Sequence, residues 1–202
     1  MINKYKFGSY DTLARWSSYW NQINEILKLE PKSILEIGVG NGFLKNYFIS
    51  NLKDINFKTM DINPDLNPDY ISSVDNINLG DNLFDLVCAF EVLEHLPFSD
   101  FEKCLASIHK ISNKYCIISI PHWGRHFGFK LVLPFFHELK FQFKLAFLAK
   151  KHFFNGEHYW ELGKSGFSLK KVKQKISKYF YIKNDFIPFE NPYHHFFILE
   201  KK

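Results

Sequence analysis

Between Ser33 and Ile120 short β-branched or aromatic runs alternate with longer stretches of helical spacing, and this alternation restricts the chain to few folds. The runs are Ile34-Leu35-Glu36-Ile37, Phe57-Lys58-Thr59-Met60, Tyr70-Ile71-Ser72, Asp85 to Phe90 and Tyr115 to Ile120. Short, nearly continuous apolar runs suit strands covered on both faces, and helices between them suit parallel pairing. Phe43 to Leu52 and Phe98 to Ile111 supply two such helices, with Ser99 as N-cap of the second and Glu102 three residues later. A helix near Leu169 to Phe180 precedes two last strands, Tyr181 to Phe189 and His194 to Glu200, joined by Glu190-Asn191-Pro192-Tyr193. That short linker predicts an antiparallel C-terminal hairpin on a mostly parallel, doubly wound α/β sheet of seven strands, with helices on both faces.

At 202 residues the chain fits one domain, 1–202, with a modest insertion. It divides into an N-terminal helical cap (1–30), a core (31–121), an aromatic and basic insert (122–156) and a C-terminal helix with strand hairpin (157–202). In the cap, Leu13, Trp16, Trp20, Ile23 and Leu27 fall at three- and four-residue intervals, predicting an amphipathic helix that ends before Pro31 and buries that stripe or covers a ligand with it. Met1 to Phe7 lack the apolar core of a secretory signal, and no stretch runs ~18 residues without charge, so a cytoplasmic protein is expected. Cys88, Cys104 and Cys116 sit inside apolar runs, away from metal-ligand spacing, and read as buried thiols.

Chemistry enters at Ile34-Leu35-Glu36-Ile37-Gly38-Val39-Gly40-Asn41-Gly42, where glycines alternate directly after one strand and before a helix. Glycine is needed where the backbone turns sharply and a ligand approaches it. Phe43 stands where a dinucleotide fingerprint wants glycine, and the Gly-Lys-Ser/Thr of a phosphate loop is missing. Asp61 closes the second strand about twenty residues on, where an acid can accept from both ribose hydroxyls. Loop and acid together point to an adenosine-type ligand; the competing reading of Asp61 is a turn residue in Asp61-Ile62-Asn63-Pro64.

These residues resemble the class I S-adenosylmethionine-dependent methyltransferases, in particular the small type 11 branch, over roughly Ile34 to Pro121. Glu36-x-Gly38-x-Gly40-x-Gly42 is similar to the family's first motif, and Asp85-Leu86-Val87-Cys88-Ala89-Phe90-Glu91-Val92-Leu93-Glu94-His95-Leu96 to its fourth-strand motif. The resemblance implies a Rossmann-like fold, S-adenosyl-L-methionine as cofactor and S-adenosyl-L-homocysteine as product. It further implies cofactor contacts from Glu36, Gly38, Gly40, Asn41, Gly42, Asp61, Ile62, Phe90 and Glu91, with Asp75 and Asn76 at the adenine edge. Asn78-Leu79-Gly80-Asp81-Asn82 replaces the usual Leu-Pro-Phe after the adenine-site acid, and the Asn-Pro-Pro-Tyr type motif of base-amine and glutamine methylation is absent.

Methyl transfer is an in-line displacement, so alignment and water exclusion supply much of the acceleration, while a hydroxyl acceptor also needs a base. Three histidines are candidates: His95 after the fourth strand, His122 after the fifth, and His158 in Gly156-Glu157-His158-Tyr159-Trp160, where similar enzymes close the acceptor pocket. The structural alternatives are loop orientation with Glu94, strand termination after Pro121 and an exposed turn. Glu91 and Glu94 are further contacts for an amine or a sugar hydroxyl. No His-Glu-x-x-His pattern exists and no metal is expected; His194-His195 reads as strand pairing.

In the insert, Leu131, Phe135, Leu139, Phe143 and Phe147 stand at helical spacing among Lys130, Lys140, Lys144, Lys150 and Lys151, with Glu138 the lone acid. A basic amphipathic helix over 130–151 fits a lid on the cofactor domain or an anionic membrane face holding a lipid-linked acceptor, peripheral at the inner membrane. Pro134, Phe136, Phe141 and Leu145 favour the lid. The expected activity is O-methylation of a hydroxyl or carboxyl on a sugar, lipid-linked or other small metabolite. RNA methylation, resting on net charge +5 alone, and a non-catalytic cofactor-binding scaffold are the competing readings; nucleic acid is the less expected partner.

Overall fold

Apolar residues alternate between the two faces of the central sheet, and each face recruits its own helices. The computed structural model describes residues 8–80, 83–133, 138–145 and 149–202. Pro134, Phe135, Phe136, Phe147, Asp81, Asn82 and the Met1 to Phe7 segment lie outside them. In chain order the elements are α1 (Leu13–Lys28), β1 (Ser33–Ile37), α2 (Phe43–Asn51), β2 (Asn56–Asp61), β3 (Tyr70–Ile71), β4 (Phe84–Phe90), α3 (Phe101–Ile111), β5 (Ser112–Pro121), β6 (Arg125–Leu131), β7 (Leu139–Leu145), α4 (Leu169–Ile176), β8 (Phe180–Phe186) and β9 (His194–Lys201).

Seven strands form one sheet in the order β3-β2-β1-β4-β5-β9-β8, the first five parallel and β9 antiparallel to both neighbours. The Rossmann-like reading holds, including the C-terminal antiparallel pair. Leu35, Ile37, Val87, Ala89, Cys116 and Ile118 pack towards α3 and α4, whereas Ile34, Leu86, Cys88 and Ile117 pack towards α1 and α2. All three cysteines are buried and unpaired. Chain order reverses between β1 and β4, so a crevice opens beyond the carboxyl ends of those strands.

Three local expectations need correction. Helix α3 is preceded by Asp100 rather than Ser99, with no side-chain cap, and Glu102 pairs with Lys175 and Lys178 of the α4 region instead of closing a capping box. Helix α1 forms as expected, but it faces inward with Ser18, Tyr19, Gln22, Glu25 and Ile26, leaving Leu13 86% and Trp20 64% exposed. Ser18 is satisfied, which removes the usual cost of burying it: its Oγ lies 2.9 Å from His194 Nδ1 and accepts from Asn191 Nδ2 at 2.8 Å.

The third correction is the insert, which is a β-hairpin and not a helix: β6 and β7 pair antiparallel, Phe127 opposite Phe143, Phe129 opposite Phe141 and Leu131 opposite Leu139. Residues at spacing four share one strand face as readily as one helix face, and Leu139-Lys140-Phe141-Gln142-Phe143-Lys144-Leu145 alternates strictly. The polar face turns inward. Gln142 Nε2 donates to the Ile187 carbonyl at 2.5 Å, Lys140 pairs with Glu190 at 2.6 Å, and Lys144 donates to the carbonyls of His122 and Pro192. The apolar face, Phe127, Phe129, Phe141, Phe143 and the leucines, is left to solvent. No helix among the described residues is long and apolar enough to cross a membrane.

Candidate active site

A cavity of about 580 Å³ lies at the carboxyl ends of β1, β2 and β4, within the ordinary range for small-molecule sites. Its first wall is the loop after β1, where Gly38, Gly40 and Gly42 adopt φ of +84°, +57° and +74°. A Cβ on Gly38 would stand 2.6 Å from Val92 Cγ2, so the glycine lets the β1 and β4 loops close on each other. Asp61, ending β2, accepts from the Val39 amide at 2.8 Å through Oδ2 and from the Asn63 amide at 2.9 Å through Oδ1. Each oxygen retains a lone pair, and the carboxylate borders the cavity beside Ile62.

The opposite wall follows β4. Phe90 and Glu91 line the cavity, and Glu91 holds φ +56°, a left-handed conformation rare for a side chain of this kind. Ser119 Oγ donates to Glu91 Oε1 at 2.8 Å, and His194 Nε2 lies 3.4 Å from Oε2. Asn191 Nδ2 donates to Ser18 Oγ at 2.8 Å, and Ser18 Oγ in turn lies 2.9 Å from His194 Nδ1, which fixes the ring beside Glu91. Burial pushes Glu91 up to about 8 against the pull of Ser119 and Arg15, and holds His194 down to about 3. Past Glu91 come Glu94, fully buried, and His95, with His158 reaching in from the far loop. Burial, and then the neighbouring Glu91, raise the Glu94 carboxyl above its ordinary range.

Of the residues read from the sequence, Gly38, Gly40, Asp61, Ile62, Phe90, Glu91, His95 and His158 meet at this cavity. The others stand behind it. Glu36 is buried at the back of the loop; Asn41 braces α2 by accepting from the Phe43 amide and donating to Tyr19 Oη, and Gly42 begins that helix. Asp75 is engaged by Ser73 and Lys103, and Asn76 closes a turn onto Ser73, so Ser72, Ser73 and Val74 line the cavity in their place. His122 is 8% exposed and bonded to His195, away from the cavity. Arg15, Tyr193 and His194 line it without having been anticipated. Tyr193-His194 directly after Asn191-Pro192 is the only sequence signal for the last two, since a strand start beside β5 falls at the sheet's carboxyl edge.

Residues 35–118 match the family model described as a methyltransferase domain, type 11. The match covers 84 of the chain's 202 residues. Its boundaries run from β1 into β5 and take in both the glycine loop and the β4 wall. No curated protein matches the chain in a sequence search. Solved structures similar in fold to the whole chain include N-methyltransferase NodS from Bradyrhizobium japonicum WM9 in complex with S-adenosyl-L-homocysteine, at TM-score 0.63 and 10% identity over 95% of this chain and 89% of that one. The glycopeptide N-methyltransferase MtfA, complexed with the same compound, gives TM-score 0.61 and 10% identity over 92% and 89%. The sugar N-methyltransferase KedS8 from Streptoalloteichus sp ATCC 53650 gives 0.59 and 9% over 96% and 90%. At these identities the likeness establishes the fold alone.

Proposed function

We propose that the chain binds S-adenosyl-L-methionine in the cavity beside Asp61 and transfers its methyl group to a small-molecule acceptor. The observation that carries this reading is the pairing of the positive-φ glycine loop with a carboxylate whose backbone partners leave lone pairs on the cavity side. Asp61 would hold the ribose hydroxyls, Ile62 and Val74 the adenine, and the backbone at Gly38 and Gly40 the methionine end. When bound, the sulfonium supplies a methyl carbon whose bond to sulfur breaks as the bond to the acceptor forms; sulfur keeps the electron pair and the acceptor's proton leaves to solvent. Titrating the purified chain with S-adenosyl-L-homocysteine in a calorimeter is expected to give saturable binding at one site, and no heat of binding would overturn the assignment.

Hydroxyl or carboxyl oxygen is the acceptor we favour, since Glu91, Glu94, His95, His158 and His194 converge where the methyl group would point. An amine acceptor is the second reading, because the same buried acids would attract it and the similar solved structures are named for N-methylation.

The exposed face of the β6–β7 hairpin fits an anionic lipid surface, which would place the enzyme where a lipid-linked acceptor is presented. Residues 122–154 contain six Arg and Lys against the single Glu138, so this segment alone accounts for the chain's net +5. The lid reading loses its footing, because no described residue of β6 or β7 lines the cavity. Inserting several exposed aromatics gains apolar burial, and since Lys140 and Lys144 turn inward, the electrostatic part falls to the exposed Arg125, Lys150 and Lys151, each adding about 1 kcal/mol near an anionic surface at low salt. Co-sedimentation with vesicles containing phosphatidylglycerol is therefore expected at low salt, to be weakened by 0.5 M salt and abolished in the Phe129→Ser, Phe141→Ser double variant. Recovery of wild type in the supernatant at low salt would refute membrane docking, and a dimer by light scattering would assign the face to a second copy.

A further inference from the structure

Glu94 is the least explained group in the molecule. Its side chain is 0% exposed, and neither carboxylate oxygen has a hydrogen-bond partner. A buried carboxylate without a partner costs several kcal/mol of desolvation, so a fold that keeps one has a use for it. Among the described residues, Glu94, His95 and His158 form the grouping of His, Cys, Asp and Glu whose ligand atoms all fall within 4.8 Å of one another.

The three are held there by a second layer of bonds. His95 Nδ1 meets the Glu157 carbonyl at 2.9 Å; a carbonyl only accepts, so Nδ1 carries the proton and Nε2 the free lone pair. The Tyr159 amide donates to the Glu94 carbonyl at 2.8 Å, and the buried Trp160 indole donates to the Leu93 carbonyl at 3.3 Å. His158 is fixed through its amide, which donates to Asn155 Oδ1 at 2.7 Å, and its carbonyl, which meets His152 Nε2 at 2.9 Å. Its ring then stands with Nε2 3.9 Å from Glu94 Oε1 and Nδ1 3.5 Å from Glu161 Oε1. Separations near 4 Å between ligand atoms are not hydrogen bonds, but a cation about 2.1 Å from each atom spans them.

We propose that Glu94, His95 and His158 bind a divalent first-row transition-metal ion on the acceptor side of the cavity. Mixed imidazole and carboxylate donors suit manganese, cobalt or zinc, and exclude a thiolate-type site. With three protein donors the ion keeps positions open to the cavity, where a hydroxyl or carboxylate oxygen of the acceptor would complete its coordination. This deepens the methyltransferase reading and rests on it for the acceptor; the metal site itself does not.

Whole chain stripped with EDTA and dialysed is to be titrated with Co²⁺, followed by visible absorption, and separately with Mn²⁺ and Zn²⁺ by calorimetry. One ion per chain is expected, with affinity weakened at least ~10-fold in Glu94→Gln and in His158→Ala. Absence of stoichiometric uptake of all three ions by wild type overturns the proposal, and so does uptake unaltered by both substitutions. Wild type decides the first point even if a variant fails to fold. Homocysteine-product titration of the same stripped protein separates the two readings: retained S-adenosyl-L-homocysteine binding without metal uptake sinks only the metal site.

Discussion

Replacing Asp61 by alanine is expected to weaken binding of S-adenosyl-L-homocysteine by at least about 100-fold. Hydrogen bonds to a charged group contribute about 1.5–3 kcal/mol each, and the carboxylate would accept two from the ribose, which converts to roughly 10² to 10⁴ in Kd. The same substitution strands the Val39 and Asn63 amides that Asp61 now satisfies. Asn63 is exposed at the cavity edge, where water can replace the lost acceptor, whereas Val39 is only 5% exposed, so the loss of stability should be about 1–3 kcal/mol and the variant should fold. Calorimetry on wild type and Asp61→Ala, with thermal melts as control, separates the two effects. Affinity within a few-fold of wild type in a folded variant would remove ribose recognition from Asp61.

Acidification should destabilise the protein before most carboxylates titrate. His195 Nε2 meets Asp185 Oδ2 at 2.9 Å, so this nitrogen carries the proton, and its Nδ1 accepts from His122 Nδ1 at 3.0 Å. A neutral pair satisfies this relay; a doubly protonated one leaves two donors facing each other. Burial, with help from Lys144 and from His195, holds His122 down to about 3, and burial outweighs Asp185 to hold His195 down to about 4. In the unfolded chain both return to about 6.5, so between these limits the unfolded state binds more protons and stability falls as pH falls. Each histidine contributes about 1.4 kcal/mol per pH unit below 6.5, so the pair removes roughly 3 kcal/mol between pH 7.5 and 5.5. That is a large share of a typical 5–15 kcal/mol. Urea denaturation at pH 7.5, 6.5 and 5.5 measures it, and equal unfolding free energies across the series would contradict neutral burial of the pair.

The parallel core and its glycine loop were legible because each rests on a local, short-period signal. Doubly covered strands read as apolar runs, and a positive φ at Gly38 or Gly40 narrows the residue choice by itself. Helix α1 was legible as a helix but not in its facing. Its inner side is polar because distant residues, His194 and Asn191, satisfy Ser18, and no window of sequence contains that partner. The β6–β7 hairpin failed for a related reason. Periodicity reports which residues share a face, not which face meets the body, and here the apolar one does not. Asp75 illustrates the same limit within the site: its position matched the family pattern, yet Ser73 and Lys103 occupy its oxygens.

The hairpin leaves the domain at Arg125 and returns at Leu145, and these two residues are paired with one another. Gly124 accommodates the join, since a Cβ there would press to 3.1 Å from the Leu145 carbonyl. Entry and exit thus coincide, and none of the seven sheet strands runs through the excursion. Its length and outward chemistry can therefore change without disturbing the register of β5 and β9, and the cavity at the ends of β1, β2 and β4 is left untouched by such changes.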